Sequence, residues 1–279
     1  MPDGLATDVH GAAIQGRRQE QQDSFRSVWL AAEKAWLLVV ADGMGGHAAG
    51  GTASRLAADA FVASFIAHRA AGNALAASFQ FALDEANARI ARGQADDPDT
   101  DGMGTTLVAA HLSPEGLSWI SVGDSPLWLV SAGSIERVNE DHSFRPAVAK
   151  GAKAIANMLQ SVLNGQPVAM VDLKSRPRRL RNGEFIILAS DGILTLEESD
   201  IARFAGGTAA TGAAAAARAL LTEVENRQKS NQDNCAVVVA VPPTFSASTA
   251  AGLITFRTAG IAALILLVVI AGVSAWRLS

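Results

Sequence analysis

Several short apolar stretches of this chain stop or start at an aspartate. Residues 36–41 (WLLVVA) run into Asp42 and Gly43, ISVG runs into Asp124, FIILAS runs into Asp191 and Gly192, and Asp233 stands just ahead of the apolar run Cys235–Val241. Runs rich in Val, Ile and Leu, bounded by Gly or Asp, predict strands. The same reading predicts strands at residues 105–111, 117–122 and 127–130. Helical spacing links Leu56, Ala60, Phe61 and Phe65, then Leu75, Phe79, Leu83 and Ile90, then Ala213, Ala217, Leu220, Leu221 and Val224. Thr195 with Glu198 predicts a capping box ahead of a segment ending near Phe204. Two consecutive helices after the first strands, then strands joined by short turns, do not make a regular βαβα alternation. The order favours an α+β fold of antiparallel sheets with helices packed on their faces.

An aspartate at a strand end, beside glycine, lies where the backbone turns and can approach a ligand. Taken singly, each is a turn residue or helix cap. Several converging carboxylates repel one another unless a cation sits among them, and oxygen-only ligands select Mg²⁺ or Mn²⁺ over zinc. On composition and spacing, the reading stops at a hard-metal hydrolase or phosphate enzyme. The 23 Lys and Arg against 27 Asp and Glu, a net charge of −4, argue against a nucleic-acid partner. The one cysteine, Cys235, cannot form an internal disulfide, and with five histidines it excludes a Cys-rich zinc scaffold.

Residues 259–276 (AGIAALILLVVIAGVSAW) carry no charge and are bracketed by Arg257 and Arg277. As a helix this run reaches about 27 Å, close to the hydrocarbon thickness of a bilayer, with Trp276 at an interfacial position. It predicts a transmembrane helix; a buried apolar helix is the alternative. The expected organisation is a folded domain over residues 1–241, a Pro-, Ser- and Thr-rich linker over 242–258, a membrane span over 259–276 and a tail of 277–279. The first thirty residues are punctuated by charge and contain no apolar signal region, so the bulk of the chain is expected on the side where it is made.

The motifs RRQEQQDSF, VVADGMGGHAAG, GMGTTLV, VGDS, NEDHS, ILASDGI and DNCAVVVA follow one another between residues 8 and 241. In that order they resemble the metal-dependent serine/threonine protein phosphatases of the PPM family (type 2C), in their bacterial form. The resemblance implies a sandwich of two antiparallel β-sheets flanked by helices, with metals at one end. It implies two Mn²⁺ or Mg²⁺ ions bridged by Asp42, with the Gly43 carbonyl, Asp191 and Asp233 completing one site and Asp23 holding the other through water. Asp124 with Asp191 matches a third, weaker site. Arg18 would bind the substrate phosphate, and Thr105 and Asn234 take supporting roles. Such an ion pair can generate a hydroxide that attacks phosphorus in line, without a phosphoenzyme, while the ions and Arg18 neutralise the phosphoryl oxygens.

The chain departs from the family pattern at several positions. Gln21 stands for the usual Asn, Gln22 precedes Asp23, and Met44 occupies a position where many members carry a His. Pro126 replaces an Arg and predicts an edge strand or a bend. The stretch between Ser143 and Asn157 is short for the family, which implies a reduced flap beside the cleft. His47 and His142 read as structural, Asp96 to Asp101 as a solvated acidic loop, and Cys235 as a packed core thiol. The basic run Lys174 to Arg181 (KSRPRRLR) reads as a solvated connection that could attract anionic lipid or an acidic substrate.

Together these imply a phosphatase acting on phosphoserine and phosphothreonine proteins, opposing a serine/threonine kinase. It would be held in the bacterial cytoplasmic membrane by one span, with the catalytic domain facing the cytoplasm. The alternatives are a catalytically weak, membrane-attached binding or regulatory module, and an enzyme for a non-protein phosphoester.

Overall fold

A computed structural model describes residues 7–46, 49–131, 134–143 and 159–243. The predicted membrane span, the tail, most of the linker, His47 and the stretch expected to form a reduced flap lie outside the described residues. Among the described residues no helix is long and apolar enough to cross a membrane.

Three strands lead: β1 (Asp8–Ile14), β2 (Asp23–Leu30) and β3 (Ala35–Met44). The helices α1 (Ala49–Ala70) and α2 (Leu75–Asp96) follow. Then come β4 (Gly104–Thr105), β5 (Leu107–Ser113), β6 (Gly116–Val122), β7 (Leu127–Ser131), β8 (Ser134–Arg137), β9 (Asp172–Arg178) and β10 (Phe185–Ala189). Helices α3 (Glu198–Ala209) and α4 (Ala213–Asn226) precede the last strand, β11 (Cys235–Val241). All pairings are antiparallel, in two sheets ordered β1-β11-β10-β7-β8 and β2-β3-β5-β6-β9, with β4 on β3.

Side-chain alternation explains the layering. In β3, Leu37, Val39 and Ala41 face one way and pack with Phe61, Phe65 and Phe79 of α1 and α2. Leu38 and Val40 face the other way and meet Leu127, Leu129, Ile186, Leu188 and Val238 of the opposite sheet. On the far face of that sheet, Trp128, Ile187 and Val237 meet Leu220 and Val224 of α4. Central strands buried on both faces must be apolar throughout, which is why their runs stand out in the sequence. The expected helix-flanked sandwich of two antiparallel sheets is present. The described strands and helices fall in one contact unit, Met1–Pro242, and a unit with three cores of its own meets the requirement for folding alone.

Two local expectations are corrected. Thr195 and Glu198 form no capping box: the cap of α3 is Glu197, without a side-chain hydrogen bond. The Thr195 hydroxyl instead donates to Gln232 Oε1 at 2.6 Å, and Glu198 accepts the Trp128 indole N–H at 3.2 Å. Tertiary partners outbid the local cap. At Pro126 the bend alternative holds, with the chain bending at 123–124 just ahead of it, and only the edge-strand alternative fails, since β7 is a central strand between β10 and β8. Its missing N–H costs nothing there, because Pro126 only accepts, from Ala189 N at 3.1 Å.

Candidate metal centre

Register brings the aspartates to one end of the sandwich. Asp23, the first residue of β2, is the partner of Asp42 on β3. Asp124 follows β6, Asp191 follows β10 and Asp233 precedes β11. Asp42 is tied through its backbone: its N–H donates to Thr106 Oγ1 at 3.1 Å, and its carbonyl accepts from Thr105 Oγ1 at 2.8 Å and Thr106 N at 2.9 Å. The Asp191 N–H points at Asp42 Oδ2 at 3.4 Å, a link between the two sheets. Two glycines permit this closeness. A Cβ on Gly43 would lie 2.0 Å from the Gly50 carbonyl oxygen, and one on Gly192 would lie 1.9 Å from that of Asn234.

Electrostatics records the convergence. The Asp42 carboxyl is held well above the usual carboxylate range, first by burial and then by the charges of Asp23, Asp191, Asp124 and Asp233. Asp23 is pushed up to about 7 by burial, against the pull of the Ser190 hydrogen bond and with a further push from Asp191 and Asp233. Its carboxylate accepts from Ser190 Oγ at 2.6 Å, and that hydroxyl accepts from Ala236 N at 2.8 Å.

Among the described residues, no three His, Cys, Asp or Glu side chains stand together as a ready-made cluster of metal ligands. The carboxylates feel one another without being gathered on a common point, and Asp233 is turned toward Arg18, whose Nη2 donates to Asp233 Oδ2 at 2.5 Å. The donor set is all oxygen and its negative charge exceeds what Arg18 balances, so its chemistry fits a hard divalent cation.

The loop carrying Arg18 is stapled by the residue next to Asp233. Buried Asn234 donates through Nδ2 to the carbonyls of Gln15 at 2.8 Å and Glu20 at 2.9 Å, and its Oδ1 accepts from Gln22 N at 2.9 Å. Gln21 closes a local turn in place of the expected Asn: its Oε1 accepts from Asp23 N at 2.9 Å while its Nε2 donates to the Ile14 carbonyl at 3.0 Å. Sequence reasoning singled out neither Ser190 nor Arg137, whose Nη2 donates to the Asp124 carbonyl at 2.8 Å. Ser190 was detectable as the polar residue between a buried strand and Asp191; Arg137 carries no local signal. His142 is built into the backbone nearby, its Nδ1 accepting from Gly123 N at 3.3 Å. Two surface hollows of about 540 and 750 Å³ lie elsewhere, against α2 and between β8 and α3.

The family model described as protein phosphatase 2C matches residues 10–224. The chain is 31% identical over 171 residues to the serine/threonine protein phosphatase PstP of Mycobacterium tuberculosis, covering 57% of this chain and 32% of that protein. It is 33% identical over 133 residues to the serine/threonine phosphatase stp of Listeria innocua, covering 46% of this chain and 52% of that protein. The match thus spans a third to a half of these relatives' length. Among solved structures, the Mycobacterium tuberculosis phosphatase PstP/Ppp superposes with a TM-score of 0.71 at 27% identity, covering 85% of this chain and 99% of that one. The catalytic domain of PstP in complex with two manganese ions gives 0.68 at 27% identity, covering 85% and 98%.

Proposed function

The chain belongs to the protein phosphatase 2C family, and from that membership we propose that its folded unit is the catalytic domain of a metal-dependent phosphatase acting on phosphoserine and phosphothreonine proteins. The observation that carries the reading is the electrostatic convergence of Asp23, Asp124, Asp191 and Asp233 on Asp42, from both sheets, with Arg18 at their margin. Asp42, the Gly43 carbonyl, Asp191 and Asp233 would hold one Mn²⁺ or Mg²⁺, and Asp23 would help hold a second; the PstP complex with two manganese ions supports these two, and Asp124 with Asp191 would hold a third, weaker one. Bound there, such ions supply an activated water and neutralise phosphoryl charge.

The chain's own residues do the rest. Arg18 uses one of its five N–H donors on Asp233, which leaves the guanidinium able to take phosphate oxygens in a bidentate grip. Asn234 sets the height of that guanidinium by fixing residues 15–22. Ser190 holds Asp23 in place. Cys235 is no nucleophile, since burial pushes its thiol well above the ordinary range, and the proposal includes no covalent phosphoenzyme.

Residues 259–276 supply the membrane span of the proposal, with the catalytic domain on the cytoplasmic side, near a membrane-bound serine/threonine kinase whose products it reverses. Carbonate extraction of membranes that carry the full chain tests the span: release into the soluble fraction would refute it. The test of the enzyme is hydrolysis of a phosphothreonine peptide by the full chain with Mn²⁺. Turnover that Asp191→Ala abolishes supports the reading. Turnover of small phosphoesters alone would move the substrate class away from proteins. The lack of a ready-made ligand cluster among the described residues favours a second reading, a weak or inactive membrane-attached binding module, and no turnover at any Mn²⁺ concentration would leave that reading standing.

A further inference from the structure

The strands fix which features lie opposite the aspartates. β9 begins at Asp172, beside Ser121 near the aspartate end, and runs away to Arg178, beside Leu117. β11 begins next to Asp233 and ends at Val241, beside Asp8. The aspartates of both sheets share one end, so the Arg178 end of β9 and the Val241 end of β11 share the other, about 20 Å away by strand length. β11 therefore finishes at the end that also carries the start of the β9–β10 connection.

β9 and the connection after it are strongly basic in an acidic chain. Five of the 23 Lys and Arg residues fall between positions 174 and 181. Arg178 is spent on Glu136, with bonds of 2.9 and 2.7 Å, while Lys174, Arg176, Arg179 and Arg181 are exposed. Charge and proline on an edge strand guard against pairing with another chain, which accounts for Lys174 and Pro177. It does not account for Arg179 and Arg181, which lie beyond the strand. The acids at this end are partly committed: Glu33 to Arg69 and His111, and Glu184 to the Arg181 N–H at 2.7 Å. Trp29, one residue from the end of β2 at the same end, is 48% exposed and tilted against Trp36 at 5.6 Å. Cations with an exposed indole suit a lipid headgroup layer.

We propose that this end of the sandwich docks on an anionic membrane surface through Arg176, Arg179 and Arg181, with Trp29 at the interface, so that the aspartate end faces away from the bilayer. The proposal extends the membrane reading of residues 259–276 and is tested without them. A diffuse lipid surface suits these cations better than an acidic strand pairing along β9, because Pro177 offers no N–H to such a strand.

The test is sedimentation of the 1–243 fragment with phosphatidylcholine vesicles, with and without phosphatidylserine. Binding should be roughly tenfold tighter with phosphatidylserine at low salt and should fade as salt screens the contact. Replacing Arg176, Arg179 and Arg181 together by Gln should remove the difference while leaving the melting temperature and peptide hydrolysis unchanged. Equal binding to both vesicles, or a variant that keeps the preference, would overturn the proposal. So would binding to a polyglutamate peptide without binding to vesicles, which would point to an acidic protein partner. If the fragment fails to bind while the full chain resists carbonate extraction, this surface fails and the span stands.

Discussion

Arg18 and Asp233, 215 residues apart in the chain, meet in a 2.5 Å ion pair at the aspartate end of the sandwich. Both side chains are well exposed, so the pair contributes at most about 1 kcal/mol and yields readily to a phosphate or a cation. Arg18→Ala should raise KM for a phosphothreonine peptide about tenfold or more, since a charge-assisted bidentate contact is lost. Its Mn²⁺ affinity, measured by calorimetry, should be unchanged or up to about fivefold tighter, because Asp233 loses a competitor. An unchanged KM would remove Arg18 from the phosphate site.

Asn234→Ala deletes the staple on residues 15–22, taking the Nδ2 donor from two carbonyls and the Oδ1 acceptor from one N–H. The expected cost is about 2–3 kcal/mol in urea unfolding, with a rise in KM as the Arg18 loop loosens. Asn234→Asp keeps the acceptor for Gln22 N but sets a carboxylate oxygen against the Gln15 and Glu20 carbonyls, so it should lose at least as much stability. Equal stability of wild type and the Ala variant would show that the loop is held by other contacts.

Asp42 is surrounded by burial and four like charges, so its ionised form weakens the metal-free fold. Asp42→Asn should therefore melt higher than wild type in the presence of a chelator. Saturating Mn²⁺, at about a hundred times Kd, should stabilise wild type by roughly 2.7 kcal/mol and the variant far less. Scanning calorimetry with and without Mn²⁺ reads both effects, and an equal Mn²⁺ response in the two proteins would argue against Asp42 as a ligand.

Acid should weaken the fold through buried His111. Burial lowers its pKa from 6.5 against the pull of Glu33, so the folded protein holds it neutral. The unfolded chain protonates first, so the stability tied to neutral His111 is present above pH 6.5 and drains as pH falls through the lower folded value. Glu33 adds a second loss below 4.5: burial raises it, but the Arg69 hydrogen bonds and charge and the His111 contact bring it lower overall. In the metal-free protein the raised Asp23 and Asp42 work in the opposite direction, so the reading is a difference: between about pH 7 and pH 5, urea melts should show wild type losing stability relative to His111→Gln. Burial lowers His142 in the same direction as His111, and it acts equally in both proteins. A His111→Gln slope equal to wild type would leave His142 and the surface carboxylates as the source.

The buried strands were legible because burial on both faces forces unbroken apolar runs, as in β3, β6 and β10. The edge strands were not. β9 reads DLKSRPR, with a proline and four charged residues, because its outer side has no strand to satisfy. β2 reads DSFRSVWL, a half-buried alternation too mixed to stand out. In the site, Asp42, Asp124, Asp191 and Asp233 announced themselves by position at strand ends. The Ser190 bond to Asp23 and the Arg137 bond to the Asp124 carbonyl did not, since each spans elements with no local pattern in common.

By itself, the order of residues determined which segments become strands and helices and that carboxylates cap several of the strands, because side-chain periodicity and turn chemistry are local. Only the tertiary structure decided that those carboxylates share one end, that Arg18 rests on Asp233, and that the β9–β10 connection begins at the opposite end. Those relations depend on sheet register and on the stacking of two sheets, and both are set by contacts between segments far apart in the chain.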